Sequence, residues 1–172
     1  MSFFVLFFSL LSCKKYHDPM PFTDDRLIKP YCNDPSAINF NWDFPGRPDN
    51  SVCIYPSQIY NGDYLFYDTI TDFFGNFKSA DSFDLHFNNL DSVYLNISGF
   101  CGAKIFTAKA NRYLKFNLDT LTGIGQLFCN NQDTITLSGS KKEISDTNFI
   151  SIKYQVYTDT GIVYHLGTAI KK

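Results

Sequence analysis

Glutamate is almost absent from this chain. Asp and Glu together number 17 and Glu143 is the only Glu, so the acids are overwhelmingly Asp. Asp suits turns and Glu suits helix interiors, so long helices are not expected and Glu-based acid/base pairs are excluded. A surplus of one charge is also lacking. A formal net charge of -2 excludes the basic footprint of a nucleic-acid binder. Histidine is scarce, with three residues (His17, His86, His165), all far in sequence from the cysteines, and no Cys-x-x-Cys occurs. Zinc-ligand spacing is therefore missing. Neither Gly-x-Ser-x-Gly nor His-Glu-x-x-His occurs. Gly123-Ile124-Gly125 lacks the third Gly and the Lys of a phosphate loop. After residue 13 no apolar run is long enough for a membrane-spanning helix, which needs about 20 residues.

What is abundant is apolar and aromatic. Hydrophobic residues make up 44% of the 172, with 18 Phe and 11 Tyr, while charged residues make up 19%. That composition supports a packed core rather than a disordered polymer. Its aromatic bias favours strands. The length fits one domain with short appendages.

Phe3 to Leu11 is an unbroken apolar stretch apart from Ser9, too short to span a bilayer and of the length of a secretory h-region. Leu10-Leu11-Ser12-Cys13 follows, and the chain turns polar at once with Lys14-Lys15-Tyr16-His17-Asp18. The tetrapeptide resembles a bacterial lipobox. The resemblance implies that residues 1–12 are a lipoprotein signal peptide and that the Cys13 thiol accepts a diacylglycerol after cleavage. Stable tethering needs more than one acyl chain. The basic n-region is missing after Met1-Ser2, so the natural start is expected upstream.

Setting Cys13 aside leaves four cysteines, Cys32, Cys53, Cys101 and Cys129. An even remainder in an exported chain suggests two disulfides, with three possible connectivities. Pairing nearest neighbours gives Cys32–Cys53 and Cys101–Cys129.

Residues 13–30 carry Pro19, Pro21 and Pro30 among charges and read as a flexible tether. Residues 31–56 are dense in Asn, Asp, Pro and Gly, so no long helix or strand is expected there. From residue 57 the pattern becomes period two. Phe83, Leu85 and Phe87 alternate with Asp84 and His86, and Val93, Leu95 and Ile97 with Tyr94 and Asn96. Ile150, Ile152, Tyr154 and Val156 alternate with Ser151, Lys153 and Gln155. One face is then buried and the other wet, and His86 and His165 fall on the polar face. About eight strands are expected over 57–172: near 62–70, 80–88, 91–98, 103–110, 113–119, 123–129 and 133–142, with 148–170 as a hairpin. Short links imply antiparallel neighbours. The fold class is all-β, an antiparallel β-sandwich or a small up-and-down, lipocalin-like barrel, preceded by a disulfide loop.

The segment Cys32-Asn33-Asp34-Pro35-Ser36-Ala37-Ile38-Asn39-Phe40-Asn41, continued by Asp49-Asn50-Ser51-Val52-Cys53-Ile54-Tyr55, resembles a short module of exported Bacteroidetes proteins. That module reads Cys-Thr-Asp-Pro-x-Ala-x-Asn-Tyr-Asn, then Asp-Asp-Gly-Ser-Cys-x-Tyr. The second half departs from it, with Asn50 in place of Asp and no Gly. The resemblance implies a Cys32–Cys53 bridge. Gly62-Asp63-Tyr64, Ser138-Gly139-Ser140 and Ile152-Lys153-Tyr154 loosely resemble the β-domains of small lipoproteins from the same bacteria, whose function is uncharacterised.

Asp34, Asn39, Asn41, Asp43 and Asp49 supply enough oxygen for a Ca²⁺ ion, which takes six to eight ligands, although EF-hand spacing is absent. Turn capping explains the same residues more simply. Four tripeptides place Thr69, Ser92, Thr120 and Thr134 between an Asp and an apolar residue. This resembles the O-glycosylation motif of that bacterial group, and equally it is ordinary strand-entry chemistry. Asn96-Ile97-Ser98 matches an N-glycosylation sequon placed mid-strand.

The functional expectation is an exported outer-membrane lipoprotein, on the periplasmic or surface face. It would be a non-catalytic binding or accessory module for a membrane protein complex or a glycan, with no resident cofactor. Tyr94 and Tyr157 are expected on the exposed faces. The alternative is a lipocalin-like carrier of a small apolar ligand, with Phe side chains lining its cavity. Bulky inward residues on every strand argue for a filled interior instead.

Overall fold

A computed structural model describes residues 24–119, 125–129, 132–146 and 148–172. The signal segment 1–12, Cys13 and Thr120 lie outside the described residues.

The chain opens with a 3-10 turn over Asp25–Ile28 and two short strands, β1 (Pro30–Tyr31) and β2 (Arg47–Pro48), which pair in parallel. Two more 3-10 turns follow, at Asn50–Val52 and Gln58–Tyr60. Among the described residues, no strand longer than two residues forms before Gly62, as the turn-rich composition implies. The long strands come next: β3 (Gly62–Thr71), β4 (Phe77–Asn89), β5 (Tyr94–Ser98), β6 (Ile105–Asn111) and β7 (Lys115–Leu118). The two-residue β8 (Gln126–Leu127), β9 (Thr134–Ser140), β10 (Phe149–Thr158) and β11 (Gly161–Lys171) complete the chain.

Every long strand pairs antiparallel with its neighbours in sequence. β11 returns to β3, with Lys171 opposite Tyr64, and β9 pairs with both β7 and β10. The sheet therefore closes into an eight-stranded up-and-down barrel, which decides between the sandwich and the barrel. Closure removes the free edges that an open sheet would expose. β8 stands outside the ring, paired only along the start of β9, so within the described part of the strand expected near 123–129 only Gln126 and Leu127 are strand.

Period-two alternation drives the packing. Tyr64, Phe66, Leu85, Phe87, Leu95, Ile97, Phe106, Phe116, Ile135, Ile150 and Ile152 point inward and are at most 1% exposed. The aromatic rings meet edge to face: Tyr64 on Phe87 at 5.3 Å, Phe87 on Phe116 at 5.7 Å, and Phe66 on Phe83 at 5.4 Å. Such contacts each add about 0.5–1.5 kcal/mol beyond area burial. Tyr60, from the last 3-10 turn, enters the end of the barrel where β3 begins and lies 4.9 Å from Phe116.

Both disulfides form between nearest neighbours. Cys32 joins Cys53 and Cys101 joins Cys129. The first staples the turn-rich segment, and the second ties the β5–β6 loop to the residues beyond β8.

Candidate functional site

At the end where β3 finishes and β11 begins, the apolar row of β3 is broken. Tyr64 and Phe66 are followed at the next inward position by Asp68, which is 3% exposed. The hydroxyl of Tyr154, inward on β10, donates to Asp68 Oδ2 at 2.7 Å. His165 Nδ1 donates to the same oxygen at 2.7 Å. The two rings stack at 4.0 Å with an interplanar angle of 13°. Contrary to the expectation from its sequence position, His165 does not lie on the polar face but points into the barrel, because β11 turns Val163, His165, Gly167 and Ala169 inward. Asp68 Oδ1 is buried and has no hydrogen-bond partner among the described residues. A hydrogen-bonded Asp–His pair is one part of a general-base arrangement. The hydroxyl in this cluster, however, donates to the carboxylate rather than to the imidazole. Burial and the adjoining Asp68 carboxylate push the Tyr154 phenol up, which disfavours its phenolate.

A groove on the outer wall follows β9. Two hollows of ≈ 380 Å³ and ≈ 330 Å³ share Asn117, Ser138 and Lys153. Those three residues form one cross-strand row, Asn117 opposite Ser138 and Ser138 opposite Lys153. The hollow exists because β9 turns only short side chains outward, Thr136, Ser138 and Ser140, between longer ones on β7 and β10. Its rim carries the ammoniums of Lys115 and Lys153 and the amides of Asn117 and Gln155, with no carboxylate among the described residues that line these two hollows. The groove therefore offers hydroxyl and amide hydrogen bonds under a positive potential. Its only mark in the sequence is the row of small polar residues in Thr134-Ile135-Thr136-Leu137-Ser138-Gly139-Ser140. That run also holds a Ser-x-x-Lys spacing, Ser138 to Lys141. A strand places such positions on opposite faces. Ser138 lines the groove, whereas Lys141 is buried with its Nζ on the Asp146 carbonyl at 3.1 Å.

The candidate calcium ligands serve as caps and braces. Asp34 accepts from the Ser36 amide and hydroxyl and from the Tyr55 hydroxyl, and Asp49 accepts from the Ser51 amide and hydroxyl. Asn39 bridges Val52 and Ile54, and Asn41 and Asp43 are exposed turn residues with positive φ. Among the described residues, no three His, Cys, Asp or Glu side chains gather as a metal site. The Asp34 carboxyl is held below its ordinary value by the Ser36 hydroxyl and amide, and Asp49 likewise by Ser51.

Of the candidate glycosylation positions, Ser92 is exposed, and Thr69 and Thr134 are half-buried on strands β3 and β9. His86 is exposed as expected and pairs with Asp63 at 2.6 Å, a surface contact of small energetic weight. Tyr157 is 36% exposed, whereas Tyr94 is half-buried beneath the Lys109 ammonium rather than free on the surface.

No family model matches the sequence, and no curated protein matches it. Among solved structures, the chain is similar to a protein of unknown function from the DUF3598 family of Nostoc punctiforme. The TM-score is 0.44 at 14% identity, over 67% of this chain and 49% of that one, so this chain spans about half the length of the structure it matches.

Proposed function

We propose that this chain is a lipid-anchored, extracytoplasmic binding module of the Bacteroidetes lipoprotein type, without catalytic activity. Its barrel serves as a rigid scaffold, and its partner lies in the groove over β9. The observation that carries this reading is the pair of adjoining hollows that share Asn117, Ser138 and Lys153. Hydroxyls, amides and two ammoniums without a carboxylate suit a polar, acid-bearing chain, and an acidic glycan is the partner we favour. The Cys13 lipobox resemblance supports the anchor. The two disulfides support an oxidising compartment.

Replacing Ser138 with Trp fills the groove from a solvent-facing position and leaves the core untouched. Binding to an acidic-glycan array by the wild type, lost in Ser138→Trp and weakened in Lys153→Ala, is the expected outcome. Equal binding by all three proteins overturns the assignment of the groove.

The second reading is the carrier of a small apolar ligand. The closed eight-stranded up-and-down topology favours it, being compatible with a lipocalin-like fold. The filled interior weighs against it, since the inward Phe and Ile side chains are packed on one another. Saturable 1:1 uptake of an apolar fluorescent probe would favour this second reading.

A further inference from the structure

The barrel end that holds Asp68 is built for more than packing. A carboxylate has about four acceptor positions, and here both protein donors, Tyr154 and His165, fall on Oδ2. Oδ1 is left buried without a partner among the described residues. An unmet acceptor on a charged group is costly, more so than on a neutral one. Asp81 lies directly opposite Asp68 on β4 and is exposed, so a second carboxylate stands beside the first at the mouth. The inward positions nearest the rim, Ile70 and Val163, are half-buried rather than sealed. Below Asp68 the floor is aromatic: Phe66 and Phe100 meet Tyr154 and each other, and Phe83 meets both phenylalanines, at 5.1–6.5 Å.

The geometry points to a second binding site at this mouth, taking a small organic cation whose ammonium or guanidinium donates to Asp68 Oδ1 while its hydrocarbon part rests towards the rings. Two carboxylates against the single imidazole of His165 set the sign of the ligand. The free oxygen sets the requirement for an N–H donor. The apolar floor sets the preference for an organic cation over a bare metal ion, in agreement with the absence of a metal-ligand cluster among the described residues. This site is independent of the groove over β9, and each can fail without the other.

The test uses the folded, oxidised protein with n-butylammonium and n-butylguanidinium as probes, and with butan-1-ol and butyrate as neutral and anionic controls. Calorimetry reads affinity, and the imidazole ¹H–¹⁵N signals of His165 read location. The cations are expected to bind 1:1 and shift the His165 signals, with the controls silent. Asp68→Asn is expected to weaken binding by about tenfold or more and Asp81→Asn by about threefold, as removal of a buried and of a rim charge partner implies. Asp81 is exposed, so its variant folds even if Asp68→Asn does not. No saturation by about 10 mM cation, a range that covers weak millimolar binding, overturns the proposal. So does equal binding of butan-1-ol, or binding that leaves His165 unshifted and is unchanged in Asp81→Asn. In those cases Oδ1 is satisfied by water alone.

Discussion

Gly139 provides the sharpest test of the packing. It sits at an inward position of β9 beneath the ring of Phe116, which reaches across from β7. A methyl group added at Gly139 would lie 2.2 Å from Phe116 Cζ and 2.4 Å from Cε1. Carbon–carbon contacts settle at about 3.5–4.0 Å, so the ring must retreat by more than ~1 Å. It has little freedom to do so, because Phe116 is fully buried between Tyr60 at 4.9 Å and Phe87 at 5.7 Å. Overpacking of this kind costs about 1–3 kcal/mol. The loss of glycine's freedom in the unfolded chain returns about 0.4–1 kcal/mol. A net destabilisation of about 1–2 kcal/mol is therefore expected for Gly139→Ala. Phe116→Leu alone should also destabilise, by roughly 2 kcal/mol, through loss of ring contacts. Together the two changes should cost less than their sum by about 1–2 kcal/mol, since the smaller side chain vacates the space the methyl enters. Urea unfolding with the disulfides intact, followed by both fluorescence and far-ultraviolet circular dichroism, measures the cycle. Additivity within about 0.5 kcal/mol, or a stabilising Gly139→Ala, would refute the account of how β7 and β9 meet.

Three further outcomes follow from the same structure. Replacing Cys32 and Cys53 with Ser opens a loop of 21 residues of sequence separation and should remove roughly 3 kcal/mol from the turn-rich segment. Hydrogen exchange should then quicken before Gly62 and leave β3 to β11 protected. At alkaline pH the barrel should lose stability. Burial pushes the Tyr64 phenol up to about 12 and the Tyr60 and Tyr154 phenols higher still. Raised folded values mean that the contribution is fully present below the ordinary value of 10.0 and declines as pH rises above it. Lys141, pushed down by burial, acts in the opposite direction, so three phenols oppose one ammonium. Urea midpoints falling between pH 9 and 11, with phenolate absorbance delayed until unfolding, check this. At acid pH, Asp34 and Asp49 have depressed folded values, so their support is present above 3.8 and lost as pH falls below it. Carboxyl signals titrating below 3.8 for both residues, and Asp34→Ala removing the Ser36 turn, are the expected observations.

How much of this was legible in the sequence depended on where periodicity carried the information. The alternating rows at Phe83 to Phe87, Leu95 to Ile97 and Ile150 to Val156 did become inward faces. Thr158-Asp159-Thr160-Gly161 did turn β10 into β11. Barrel closure was not legible, because whether β9 pairs with both β7 and β10 depends on the twist and stagger of the whole sheet rather than on any local run. Neither was the inward aim of His165. Its own strand alternates weakly, with Gly167 and Ala169 standing where large apolar residues would have marked the face. Asp68 could have been found as the lone acid in the inward row Tyr64, Phe66, Asp68, but nothing local says that Tyr154, eighty-six residues on, would meet it. The groove was hidden for the opposite reason. It is defined by how little Ser138 and Ser140 project, and a hollow is a property of three strands together.

The most direct test of the central claim is native mass spectrometry of the protein released gently from its own membrane, run beside the Ser138→Trp variant. The account expects a chain beginning at a lipid-modified Cys13 that carries an acidic glycan at fixed stoichiometry, with that glycan absent from the variant. A chain that retains residues 1–12 unmodified, or one that carries an apolar small molecule inside the barrel in both proteins, would contradict it.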